Sequence, residues 1–343
     1  MSDKPALFTS PLTYTAQRTQ HLITIDGNLT EADWQTAQWS GAFTDIEGGL
    51  KPAPLLNTRM KMLWDDSCLY VAAQLQEPQL TAFLRQHDTI VFNDNDFEIF
   101  IDPDDDTHNY FEIEINTLNT IFDLFLSKPY RNRGNALIAY DVQGLQSAVQ
   151  LQGTLNKSGD TDSGWTVEMK IPFRAVNFGF ATSYTPTAGS FYRINFSRVE
   201  WDWNIAGNNY TKRKDSAGRQ LPEHNWVWSP QGVINMHYPE RWGYLFFGVN
   251  ADTSYSLSPD EQLKSYLWLI YYKQQDYFKN KKAYAGKLSQ LSIPTKVDVE
   301  HAQYHLSLAS LSGRFVATIE DAQHQPLFSI DEDGKVMKLN KYE

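Results

Sequence analysis

The strongest constraint on this chain is a period of two. Apolar and polar residues alternate through "TRMKMLW" (58–64), "CLYVAAQLQ" (68–76), "DFEIFID" (96–102), "YFEIEIN" (110–116), "GWTVEMKIP" (164–172) and "SFYRINFSRV" (190–199). Successive side chains of a strand point to opposite faces, so each run can bury one side and leave the other polar. In "WTVEMKI", Trp165, Val167, Met169 and Ile171 share a face opposite Thr166, Glu168 and Lys170, the pattern of a half-buried strand. Turn signals at "DDS" (65–67), "DPDDD" (102–106) and "SG" (163–164) separate the runs. Many short strands with such turns predict an all-β fold, an antiparallel jelly-roll-like β-sandwich. The best helical signal in this region is "LTEADWQTA", with a capping-box spacing from Thr30 to Asp33.

The pattern changes near residue 250. In "SPDEQLKSYLWLIYYKQQDYFKNKKAYAGKLSQL", Ser258 is placed to cap a helix and Pro259 to occupy its first position. Leu263, Leu267, Ile270, Tyr271, Gln274 and Phe278 then follow helical spacing. Beyond Pro294 strand-like runs return, including "GRFVATIED" and a hairpin "LFSIDEDGKVMKL" with Asp333-Gly334 in its turn. The expected organisation is a sandwich over residues 1–249 and a small appended helix-plus-strands unit over residues 250–343.

Charge and composition narrow the partners. A formal net charge of −11 argues against nucleic acid and against an anionic membrane surface, both of which are held by clustered Lys and Arg. Cys68 is the single cysteine, so there is neither an intrachain disulfide nor a cysteine metal site. No run approaches the roughly 18 apolar residues of a membrane span. The opening "MSDKPALFTSPLTY" has no apolar export signal. There is no P-loop, G-x-S-x-G or dinucleotide fingerprint, and His301 and His305 have zincin spacing with Ala302 in place of the acid.

Two dense stretches carry chemistry. "NDNDFEIFIDPDDDTHNYFEIEIN" (93–116) holds nine carboxylates. Alternation sets Asp96 and Glu98 opposite Phe97, Ile99 and Ile101, and Glu112, Glu114 and Asn116 opposite Phe111, Ile113 and Ile115. Pairing through the turn would make Glu98 a cross-strand neighbour of Glu112 or Glu114. Like charges there repel, so the face calls for hydroxyl donors, a basic partner or a cation. A solvated sheet surface, a polar binding face and a general acid/base pair all remain open. Asp102, Asp104 and Asp106 offer oxygens to calcium, but Thr107 and Ile113 stand where an EF-hand needs Gly and Glu. "EHNWVWSPQGVINMHYPERWGYLFF" (223–247) interleaves Trp226, Trp228, His237, Tyr238, Arg241 and Trp242 with amides, a composition suited to stacking on sugar rings. Trp242, Tyr244 and Phe246 read as core of a last strand, whereas loop-like Trp226 and Trp228 suit binding as well as packing.

The ordered blocks "ITIDGNLTEADWQTA", "RMKMLWDDSCLYVAAQLQEP", "DNDFEIFIDPDDDTHNYFEIEIN", "GWTVEMKIPF", "RINFSRV" and "VWSP…MHYPERWGYLFF" resemble carbohydrate-binding module family 9 and its DOMON-like relatives, over about residues 21–249. The resemblance implies a jelly-roll-like sandwich, structural calcium, no catalysis, export from the cytoplasm, and capture of a glycan between aromatic rings. The family's key carboxylate falls on Glu98 and its first stacking ring on Phe92, where known binders have Trp. A basic position falls on Glu114, Asn116 is kept, and a second stacking Trp falls on Met236 beside His237. Trp226, Trp228, Trp201 and Trp203 could supply another platform. The expected ligand set is therefore Phe92, Glu98, Glu114, Asn116, Trp226, Trp228, Met236 and His237, with calcium the one candidate cofactor. The rival readings are an interaction scaffold that has lost its sugar site, a haem-binding module using Met236 and His237, and a glycosidase using the acidic face.

Overall fold

The computed structural model describes residues 11–177, 183–207, 209–250, 255–311 and 313–339. Its first fifteen strands are β1 (Thr13–Arg18), β2 (Thr44–Asp45), β3 (Thr58–Trp64), β4 (Cys68–Gln76), β5 (Asp96–Asp102), β6 (Tyr110–Asn116), β7 (Ile121–Leu126), β8 (Ala136–Leu137), β9 (Gln146–Gln152), β10 (Gly164–Pro172), β11 (Phe191–Glu200), β12 (Trp203–Ala206), β13 (Asn209–Lys212), β14 (His224–Val227) and β15 (Gly243–Gly248). The alternating runs read from the sequence are β3, β4, β5, β6, β10 and β11, each matched within a residue.

One large curled sheet runs β8-β7-β6-β5-β11-β15-β1-β3-β4-β10-β9. Its pairings are antiparallel except where β1 lies parallel between β15 and β3. Strand β11 is the hinge of the sheet: Phe191–Ile194 pair with β15, while Ser197–Glu200 pair with β14. The inward side chains share one core, with Phe97, Ile99 and Ile101 of β5 and Phe111, Ile113 and Ile115 of β6 facing Met60, Met62, Val71, Val167 and Met169. This is the all-β sandwich that the alternation predicts.

The polar face of β10 is not solvated as expected. Glu168 is fully buried, and its carboxylate accepts the Trp34 indole N–H at 2.7 Å and the backbone N–H groups of Asp26 and Gly27 at 3.0 Å. Trp34 sits on α1 (Ala32–Thr36), which starts one residue after Glu31, so Thr30 does not cap it.

The later segment forms α2 (Asp260–Lys281) and a sheet of β16 (Lys296–Val299), β17 (Ala302–Leu311), β18 (Arg314–Glu320), β19 (Pro326–Asp331) and β20 (Val336–Lys338). Pro259 takes the cap position of α2, one residue later than expected, and the Ser258 hydroxyl accepts the Asp260 N–H. Leu267, Ile270 and Tyr271 of α2 pack with Phe315, Ile319 and Ile330 in a core of their own. This unit docks on the β5–β6 turn. The Thr107 hydroxyl donates to the Gly334 carbonyl at 2.8 Å, and Val336 N–H to the Asp106 carbonyl at 3.3 Å. Gly334 has φ +74°, and a Cβ there would lie 3.2 Å from Tyr271, which explains the Asp333-Gly334 turn chemistry. Among the described residues no helix is long and apolar enough to cross a membrane.

Candidate functional site

The outward face of β5 and β6 is roofed rather than open to solvent. Residues from the segments 90–92, 130–138 and 234–237 stand around it and line a half-open cavity of about 420 Å³. Register sets Glu98 directly opposite Glu114, Phe100 opposite Glu112, and Asp96 opposite Asn116. Asp96, Glu98, Glu112 and Glu114 are all buried, which removes the reading of this face as a solvated surface. Glu98, Glu112 and Glu114 line the cavity, with Glu223, Asn225 and Asn235 adding polar groups.

Burial raises the pKa of Asp96, Glu98, Glu112 and Glu114. Glu98 is pushed up to about 7, with the Glu223 carboxylate adding to the effect. Glu112 and Glu114 are held well above the usual range by burial and then by the neighbouring carboxylates. Glu114 accepts the Phe92 N–H at 2.8 Å, and Asp96 accepts the Val199 N–H at 3.3 Å. One oxygen each of Asp96 and Glu98 is buried without a hydrogen-bond partner.

Apolar groups form the rest of the lining. Phe92 and Tyr130 stand at the rim, 37% and 45% exposed, with Ile90, Ile138 and Ile234 beside them. Met236 is buried, its sulfur 3.2 Å from the Gln231 amide and its carbonyl accepting the Trp242 indole N–H at 2.8 Å. His237 lies 3.0 Å from the Tyr110 hydroxyl through Nδ1 and edge-on to Tyr130, with ring centroids 4.5 Å apart. Burial and then the Arg131 charge push its pKa down to about 4, so it is neutral near pH 7.

Five of the residues singled out in the sequence therefore surround one cavity: Phe92, Glu98, Glu114, Met236 and His237. Asn116 does not reach it. Its amide donates to the Leu84 carbonyl at 2.9 Å and to Asp94 at 3.0 Å, and its oxygen accepts the Leu118 and Thr120 N–H groups, so it pins the turn after β6. Trp226 and Trp228 lie in the inter-sheet core, not on a binding loop. They flank Val227 at the end of β14, so the alternation that sends Val227 outward turns both rings inward. Trp242 is buried beneath the cavity against Phe100 and Tyr110. Trp201 is buried and buttresses the rim, its indole N–H donating to the Phe92 carbonyl at 2.8 Å, while Trp203 meets Phe83 edge-on.

Tyr130, Glu112, Glu223 and Asn225 also line the cavity. Tyr130 sits in "SKPYRNRG", an aperiodic loop where alternation gives no signal. An aromatic between Pro129 and Gly134 was the available clue. Arg131 beside it ties two roofing loops together, pairing with Glu240 at 2.8 Å, donating to the His237 carbonyl at 3.1 Å and lying over the Tyr238 ring at 4.3 Å.

The structural calcium implied by the resemblance fits the acidic turn poorly. Single oxygens of Asp102, Asp104 and Asp106 do converge. However, Asp102 already accepts the Asp105 and Thr107 N–H groups, and Asp106 pairs with Lys335 at 3.1 Å. Asp105 pairs with Arg193 at 2.7 Å and with Lys264. The turn carries its own cations.

Comparison with known proteins bears on this arrangement. No curated protein matches the chain. Among solved structures it is similar to a putative carbohydrate-binding protein from Bacteroides uniformis ATCC 8492, at 15% identity over 69% of this chain and 100% of that one, with a TM-score of 0.51. A carbohydrate binding module family 9 from Caldicellulosiruptor kristjanssonii aligns in its glucose complex at 16% identity over 71% of this chain and 98% of that one, TM-score 0.42. Its cellotriose complex aligns at 15% identity over 72% and 98%, TM-score 0.40. The family model described as "Carbohydrate family 9 binding domain-like" matches residues 25–228, more than half of the chain and all of β5 and β6. The chain belongs to the carbohydrate family 9 binding domain-like family.

Proposed function

We propose that this chain is a non-catalytic carbohydrate-binding protein that holds a glycan in the cavity over β5 and β6. The observation that carries the reading is the composition of that cavity within a carbohydrate family 9 fold: buried carboxyls on the floor and exposed Phe92 and Tyr130 at the rim. Sugar rings present C–H faces that stack on aromatics, and hydroxyls that pair with acids and amides. Carboxyl oxygens accept and amide N–H groups donate, so Glu98, Glu112 and Glu114 with Asn225 and Asn235 can meet hydroxyls of either polarity. Phe92 and Tyr130, rather than a pair of tryptophans, would supply the stacking surfaces. The carboxyls stand together on one floor, whereas a glycosidase sets two carboxyls to flank the scissile bond.

The test is a glycan array followed by calorimetric titration of the best hit. Binding should weaken by about tenfold to a hundredfold in Glu98→Gln, the loss of a hydrogen bond to a charged or strongly polar group. Turnover of chromogenic glycosides that disappears in Glu98→Gln would instead make the protein an enzyme.

A further inference from the structure

We infer that His87, Asp88, Asp123 and Asp141 form a site for a zinc-class divalent cation, on the side of β7 away from the cavity. Phe122 and Leu124 line the cavity, so alternation along β7 sends Asp123, between them, to the other face. There one ligand atom from each of the four residues lies within 4.8 Å of the others. Exposed acids often gather without an ion, but Asp123 is only 2% exposed, and its Oδ1 is buried without a hydrogen-bond partner. Its Oδ2 accepts the Val142 N–H. Asp88 Oδ1 is buried and bare in the same way. Both bare oxygens stand beside the His87 ring, Asp123 Oδ1 3.5 Å from Nε2 and Asp88 Oδ1 3.1 Å from Nδ1. A buried carboxylate oxygen without a partner is costly and calls for a proton or a metal. Two of them beside one imidazole favour the metal.

The imidazole selects the metal. Calcium and magnesium take oxygen ligands, whereas zinc takes histidine nitrogen and aspartate oxygen together, in a tetrahedron with bonds of about 2.0–2.2 Å. Ligand atoms of such a tetrahedron stand roughly 3.3–3.6 Å apart, the spacing of His87 Nε2 from Asp123 Oδ1. Nε2 is therefore the ring nitrogen assigned to the ion. Among the described residues no Lys or Arg forms an ion pair with Asp88, Asp123 or Asp141, and His87 is the group that faces the first two. His87 and Asp141 are exposed, which gives an ion a path from solvent. The ligands come from β7 and from two segments that continue into the cavity rim, one at Ile90 and Phe92 and the other at Ile138. A bound ion would tie both rim segments to β7. The cation site stands on its own residues; that it sets the rim for a sugar rests on the carbohydrate reading.

The experiment uses the full chain, stripped with a chelator and titrated with zinc chloride at pH 7.5 by calorimetry, with a thermal melt on each sample. The expected result is a saturable site with a Kd below about 10 μM, and a midpoint raised by a few degrees at roughly a hundredfold excess over Kd. Both effects should be lost in His87→Ala, at an exposed position, and in Asp123→Asn, whose zinc-free melts report that they remain folded. Both should persist in His305→Ala, which removes the other histidine cluster, where His305 and His324 have ring centroids 4.1 Å apart. No zinc binding by the wild type overturns the site. So does binding that is unchanged in His87→Ala, and its loss in His305→Ala alone would place the ion on that other pair. Calcium chloride in hundredfold excess should leave the zinc bound; displacement overturns the choice of metal. Titration of the best array glycan into zinc-loaded wild type and into His87→Ala separates the two claims. Affinity at least threefold higher in the zinc-loaded wild type supports the coupling to the rim, and equal affinity overturns that part. Absence of any glycan signal beside an intact zinc site removes the carbohydrate reading and leaves the cation site.

Discussion

At the scale of single residues, His237 gives the clearest pH prediction. Its pKa of about 4 in the folded chain compares with about 6.5 for an unperturbed histidine. Between those values the unfolded state binds a proton that the native state does not, so stability rises with pH across the window and falls in acid. The full effect is up to about 3 kcal/mol. The neighbouring carboxyls have raised pKa values and act in the opposite direction, so the readout is a difference between variants. The thermal midpoint of the wild type should fall more steeply from pH 6.5 to 4.5 than that of His237→Asn. Parallel slopes would show that His237 protonates in place. Trp226 makes a second residue-level test. As part of the core it should cost about 3–5 kcal/mol on Trp226→Ala in urea denaturation, with glycan affinity unchanged in the fraction that remains folded. Lost binding at unchanged stability would return the ring to the site.

At the scale of elements, period two made β3, β4, β5, β6, β10 and β11 legible, because alternation follows directly from strand geometry. It also put Asp96 and Glu98 on one face. What covers that face was not legible, since the roof comes from aperiodic segments 130–138 and 234–237, remote in sequence from β5. The same reason hid Tyr130. Trp226 and Trp228 read as loop residues because β14 is only four residues long, too short for alternation to register. Arg131 is the fastener between the roofing loops and α2, lying over Tyr238 with its charge paired to Glu240, which also accepts the Tyr272 hydroxyl. Arg131→Ala leaves Glu240 buried without its cation, so a loss of about 3 kcal/mol is expected in urea denaturation, together with weaker glycan binding. Arg131→Lys should recover part of the stability. A loss under 1 kcal/mol for the alanine variant would show that the loops hold without it.

At the scale of the whole molecule, the two hydrophobic cores are bridged by polar contacts, from Thr107 to Gly334 and from Asn132 to Tyr271. Hydrophobic periodicity cannot announce such bridges, so the sequence suggested a separate appended unit and left its docking open. Docking onto the acidic turn gives Asp105 and Asp106 the cations Lys264 and Lys335, both from the later segment. On the cavity floor, by contrast, Asp96, Glu98 and Glu114 are buried and form no ion pair with Lys or Arg among the described residues. The central claim is that this cavity is where a glycan binds, and Phe92 and Tyr130 at its rim test it with the least risk to the fold. Each ring should contribute roughly 0.5–1.5 kcal/mol by stacking. Calorimetric titration of the best array glycan should therefore show the Phe92→Ala, Tyr130→Ala double variant binding at least about fivefold more weakly than the wild type, with its melting curve unchanged. Equal affinity in the two proteins would contradict the account.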